Sequence, residues 1–122
     1  MGLPAGQRLR SSRAFDQTVR QGRRAGSRRL VVHLFDAGPA TGPAQVGFVV
    51  SKAVGTSVVR HRVTRQLRAL ARSRQDRLPS GGQVVVRALP PAARATSLEL
   101  AGDLDRCLDR VLGRPAPIGA TQ

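Results

Sequence analysis

The residues able to do chemistry are concentrated in one stretch, Val50 to Arg77, and almost all of them are arginine. Seven arginines fall between Arg60 and Arg77, and Asp76 is the only acid there. Such a density of one sign repels itself unless something outside the chain neutralises it. Arginine stays charged, forks onto phosphate oxygens and stacks on bases, so the chemistry on offer is polyanion binding. Proton transfer is poorly provided for. His61 has no partnered nucleophile or carboxylate in sight, and Asp16 and Asp36 are isolated. Cys107, His33 and His61 lie too far apart in sequence for a zinc set, and no acid pair argues for a metal centre held by the protein. A nuclease made of protein alone is therefore disfavoured.

The stretch must be positioned by a helix. Thr56 or Ser57 is its N-cap, and Gly55 is the turn that lets the chain leave the preceding strand. At about 100° per residue, Val59, Val63, Leu67 and Leu70 form one apolar stripe. His61, Arg65, Arg68 and Arg72 lie roughly opposite, and Arg60 and Arg62 sit nearer the borders of the stripe. One side of this helix is built for a core and the other for a polyanion.

The whole chain carries the same signature. It has 122 residues and a formal net charge of +14, so one domain with a modest core is expected. Lys52 is the only lysine. A single cysteine excludes an internal disulfide, and neither a signal peptide nor a membrane-spanning run is evident, so a cytoplasmic location is expected. Trp and Tyr are absent, and the three aromatics are Phe15, Phe35 and Phe48. Broad base-stacking platforms are thereby excluded, though one or two stacking positions remain open.

Residues 1–10 read as a flexible basic arm, residues 11–112 as a single α/β domain, and residues 113–122 as a disordered tail. SSRAFDQTVRQ is a short helix capped by Ser11 or Ser12 and stopped by Gly22, with Phe15 and Val19 sharing a face with the stem of Arg23. RRAGSRR is a turn or a short edge strand. RLVVHLFD is a strand with Leu30, Val32 and Leu34 on one face and Val31, His33 and Phe35 on the other. QVGFVVSK is a second strand, with Val46, Phe48 and Val50 opposed to Gly47, Val49 and Ser51, and the loop between the two permits a hairpin. QVVVRAL is a further strand. Thr96 and Glu99 make a capping box for a last helix whose apolar set is Leu100, Leu104, Cys107, Leu108 and Val111. Glu99, Asp103, Asp105 and Asp109 lie on that helix, which reads as a solvated face turned away from the polyanion. The order of elements gives a sheet covered by helices.

VGFVVSKAVGTSVVRHRVTRQLR resembles the signature of the bacterial ribonuclease P protein subunit: a strand ending in Ser-Lys, then Gly, then spaced arginines. Ser51, Lys52, Gly55, Arg60, Arg62, Arg65 and Arg68 match it, and the similarity runs from about residue 7 to 112. His61 stands where the family has Asn, Thr64 and Ala53 where lysines are usual, Val19 where a second aromatic is usual, and His33 where tyrosine is usual. Val49 replaces a small polar residue. The resemblance implies a two-layer α/β (α+β) sandwich, αβββαβα, with a left-handed βαβ crossover and a short extra strand near Arg24. It implies binding to the catalytic ribonuclease P RNA through Lys52, Arg60, His61, Arg62, Arg65 and Arg68. It also implies a cleft for the 5′ leader of precursor tRNA lined by Phe15, Val19, Val31, His33 and Val49. The cut would be made by the RNA, with Mg²⁺ held mainly by RNA and no cofactor held by the protein. No membrane and no obligate protein partner is implied. The alternative left open by the residues is a non-enzymatic RNA-binding module, such as a ribosomal or ribosome-assembly protein.

Overall fold

The computed structural model describes residue 9, residues 11–36 and residues 42–113; the rest of the expected arm and tail lies outside the described residues. Helix α1 (Ser12–Gln21) is followed by strands β1 (Arg23–Gly26), β2 (Leu30–Phe35) and β3 (Gln45–Val49). Then come helix α2 (Ser57–Ser73), strand β4 (Gln83–Ala88) and helix α3 (Ser97–Val111). This is the expected αβββαβα order. The sequence RRAGSRR resolves into edge strand β1, which pairs antiparallel with β2.

The sheet order is β1-β2-β4-β3. A hairpin between β2 and β3, permitted by the loop length, does not form. β4 enters between them, antiparallel to β2 and parallel to β3, and α2 provides the crossover. The physical reason is visible in β4 itself. Val84, Val85 and Val86 are at most 1% exposed, and such an unbroken apolar run requires cover on both faces, which only a central strand receives.

On one face, Leu30, Val32, Leu34, Val46, Val84 and Val86 pack with Val63, Leu67 and Ala71 of α2 and with the apolar side of α3. These layers make the two-layer sandwich. All five residues of the expected apolar set on α3 are buried, and the Thr96–Glu99 capping box is complete. Thr56 is the cap of α2, accepting from the backbone N–H of Val59.

α1 lies on the opposite face. Ser11 caps it and Gly22 ends it. The Thr18 hydroxyl donates to the Gln83 side chain at 2.9 Å, and the ring of Phe15 sits over Gly47. Arg23 does not continue the Phe15–Val19 face. It belongs to β1, and its guanidinium donates to the Val111 carbonyl at the end of α3.

The acids of α3 are only partly a solvated face: Glu99, Asp105 and Asp109 keep contact with solvent, Asp103 does not, and all four meet arginines. Asp103 is 1% exposed and accepts from the backbone N–H and the guanidinium of Arg29; Arg106 also pairs with it. Asp105 holds Arg74 at 2.6 Å and Arg77 at 3.2 Å, Asp109 holds Arg77, and Glu99 pairs with Arg29. These pairs clamp α3 to the β1–β2 turn and to the end of α2. Within the apolar set, Asp103 falls between Leu100 and Leu104, so its burial follows from helical periodicity once an arginine is available to meet it.

Candidate nucleic-acid interface

α2 sorts its arginines by their position around the helix. Arg65 and Arg68 are exposed, as are His61 and Arg72. No ion pair or hydrogen bond from another described residue reaches Arg65 or Arg68, and both stand opposite Val63 and Leu67. Arg60 and Arg62 are half-buried. Arg60 donates through Nε to the Gly55 carbonyl at 3.2 Å, and Arg62 donates to the Ala93 carbonyl. A guanidinium has five N–H donors, so each keeps capacity for phosphate after this anchoring. Arg74 and Arg77 are committed to Asp105 and Asp109. Lys52 stands exposed at the head of the helix, in a turn closed by bonds from Val54 N to Ser51 O and from Gly55 N to Lys52 O. Space at Gly55 is tight: a Cβ would lie 3.0 Å from Val59 Cβ, so the first turn of α2 would have to give slightly to admit one.

His61 lines two shallow depressions on this face. One, of about 240 Å³, is bordered by Val50, Arg60, Thr64 and Arg68; the other, of about 420 Å³, by Val58, Arg62 and Arg65. The face thus offers recesses ringed by guanidinium groups, a surface suited to a folded phosphate backbone.

The second surface is the sheet face that carries α1. The register places Arg24, His33, Val85 and Gly47 in one row across the four strands, and Gly26, Val31, Arg87 and Val49 in the next. The five residues of the expected leader cleft therefore lie on one side of the sheet, but not equally. Val31 and His33 are buried, at 7% and 5% exposure, and form floor. Phe15 and Val49 are half-buried, and Val19 is exposed one turn beyond Phe15 on α1. His33 Nδ1 has no hydrogen-bond partner. Burial first, then the charges of Arg24 and Arg87, holds this imidazole below its usual range, so it is neutral at pH 7.

Arg24 and Arg87 are the members of this surface that the sequence pattern did not single out. Alternation along QVVVRA places Arg87 with Gln83 and Val85, yet assigning that set to the α1 face requires the central position of β4. Among the described residues, no group of three or more His, Cys, Asp or Glu side chains is placed to hold a metal ion, and no helix is long and apolar enough to cross a membrane.

A single α/β domain with an arginine-studded helix beside a partly open sheet face is, by class, an RNA-binding protein. The comparisons with known proteins agree and go further. The family model described as Ribonuclease P matches residues 3–112. A ribonuclease P protein component of a Nocardioides species is 56% identical over 110 residues, covering 89% of this chain and 94% of that protein. The one from Streptomyces avermitilis is 51% identical over 118 residues, covering 91% and 96%. The RNase P protein of Staphylococcus aureus superposes with a TM-score of 0.75 at 22% identity, covering 85% of this chain and 94% of that one. The Thermotoga maritima RNase P protein gives 0.73 at 23%, covering 85% and 96%. The chain belongs to the ribonuclease P protein family. It is the protein subunit of a ribonucleoprotein endoribonuclease and works with the ribonuclease P RNA. The alternative of a ribosomal or assembly protein gains no support.

Proposed function

We propose that this chain holds the ribonuclease P RNA through the exposed face of α2 and presents the α1 face of the sheet to the 5′ leader of precursor tRNA, promoting 5′ maturation in the cytoplasm. The observation that carries the reading is the junction of the two surfaces. Val49 lies on the leader face, and the next residue, Val50, lines the arginine-bordered depression of α2. A single strand leaving Phe15 reaches Arg60 and Arg68 by crossing one edge strand. Lys52, Arg65 and Arg68 supply phosphate contacts; Arg60 and Arg62 supply contacts from guanidiniums already fixed in place, which lowers the entropy lost on binding. His61 donates or accepts one hydrogen bond between them.

The chemistry belongs to the RNA. On this reading Mg²⁺ is left to the RNA, in keeping with the commitment of Glu99, Asp103, Asp105 and Asp109 to arginine partners. The protein's part is to position the strand and to lower the repulsion between two RNAs. Single-turnover cleavage of a precursor tRNA at low magnesium tests the reading, run with the protein alone, the RNA alone and both together. Correct 5′ ends formed far faster with both support it. No acceleration, despite tight binding of the protein to unrelated RNAs, overturns it.

A further inference from the structure

Arg24 and Arg87 stand on the α1 face, and no described acid is placed to neutralise them. Arg24 is the direct cross-strand neighbour of His33, and Arg87 is two residues on from Val85, the other direct neighbour of His33. A diagonal neighbour of that kind stands roughly 7–8 Å away, within reach of a long side chain. Both arginines are exposed, and no described residue pairs with or hydrogen-bonds to either. No acid occupies a described strand position on this face, and the acid of α1, Asp16, is paired with Arg20 at 3.0 Å. His33 and Val31 of β2 lie between the two arginines, and Gly26 flanks Val31 on the outer strand. A Cβ on Gly26 would meet one atom within 4 Å, Val31 Cγ2 at 3.9 Å, so the space above it is open. Beneath is the buried imidazole of His33, with an unpartnered Nδ1.

Both guanidiniums are exposed and keep their donors for an anion seated between them. We propose that Arg24 and Arg87 form a phosphate cradle on either side of His33, which takes one phosphodiester of the single strand that passes over Phe15. The cradle rests on the leader reading above and deepens it. Where the face is poor in aromatic rings, the strand is held by its backbone more than by its bases, so the grip is largely independent of leader sequence.

The test uses the holoenzyme assembled with the ribonuclease P RNA and Arg24→Gln and Arg87→Gln, singly and together. Each is given precursor tRNA with a full leader, with the leader trimmed to a single nucleotide, and with an uncharged methylphosphonate at each leader linkage in turn. The double variant should bind the full-leader substrate about tenfold more weakly. The trimmed substrate should be unaffected and thermal unfolding unchanged. One methylphosphonate position should weaken binding by the wild type but not by the double variant. Equal losses on both substrates, or no position whose effect disappears, overturn the cradle. If Phe15→Ala still costs full-leader binding selectively while the arginine variants do not, the cradle fails and the leader reading stands. If the wild type binds full and trimmed substrates equally, the leader reading fails and the cradle with it.

Discussion

The ring of Phe15 fills the space that a side chain on Gly47 would need: a Cβ there would lie 2.2 Å from Phe15 Cζ and 2.8 and 2.9 Å from the two Cε atoms. The absence of a side chain at Gly47 is thus what seats α1 on the sheet. Gly47→Ala is expected to destabilise the fold by about 1–3 kcal/mol through overpacking. In a Phe15→Ala background the penalty should shrink, because the clash is gone. Urea denaturation of the four proteins of this double-mutant cycle reads the coupling, and additive losses would refute the contact.

The arginines of α2 should separate into two groups. Replacing Arg65 and Arg68 by Ala should flatten the salt dependence of RNA binding by about 0.7–0.9 log unit per lost phosphate contact, with little change in thermal stability. Replacing Arg74 and Arg77 should do the reverse, lowering the melting temperature by freeing α3 while leaving the salt slope intact. Binding isotherms across a salt series, with melting curves for each variant, check both halves.

His33 should make stability pH-dependent near neutrality. Its folded pKa is held below 6.5 by burial and then by Arg24 and Arg87. The unfolded chain therefore binds the proton more readily at this position. Stability is fully present above 6.5 and is lost as pH falls through the folded value. His33→Phe should flatten this part of the profile. A separate loss at more acid pH should survive the substitution. It comes from Asp105, held below its usual range first by the hydrogen bond from Arg74, and from Glu99, held low first by the Thr96 backbone N–H. Unfolding free energies measured from about pH 8 to about pH 2 test the assignment.

Asp103 should be the acid the fold least tolerates losing. Asp103→Ala leaves the Arg29 backbone N–H and guanidinium without their carboxylate against the end of β2, and should cost about 3 kcal/mol. Asp103→Asn keeps an acceptor for that N–H and should cost less. Chemical denaturation ranks the two; equal losses would mean that the charge, and not the backbone bond, is what matters.

What was legible in the sequence was what is local. The caps at Ser11, Thr56 and Thr96, the α2 stripe through Val63 and Leu67, and the apolar set from Leu100 to Val111 are set by neighbours within a few residues. The sheet order was not, because a loop length that permits a hairpin says nothing of a strand arriving forty residues later; the buried run Val84–Val86 was the one sign of a central strand. Partner choice was equally hidden. A helix carrying Asp105 and Asp109 reads as solvated until Arg74 and Arg77 are brought beside it. At the candidate site, the α2 arginines announced themselves by spacing, whereas Arg24 and Arg87 come together only through the register of β1, β2 and β4.

The central place of β4 also sets the order in which the chain becomes a protein. As synthesis proceeds, β1 and β2 can close as a hairpin, and α2 can coil beneath β3, but the two halves share no backbone ladder until Gln83–Ala88 has emerged. Until then β3 keeps a bare edge and the arginine helix has no sheet to rest on. Closing the sheet joins residues far apart in sequence, a step slowed by loop entropy. A fragment ending before β4 would contain nearly every arginine aimed at RNA and none of the architecture that aims them.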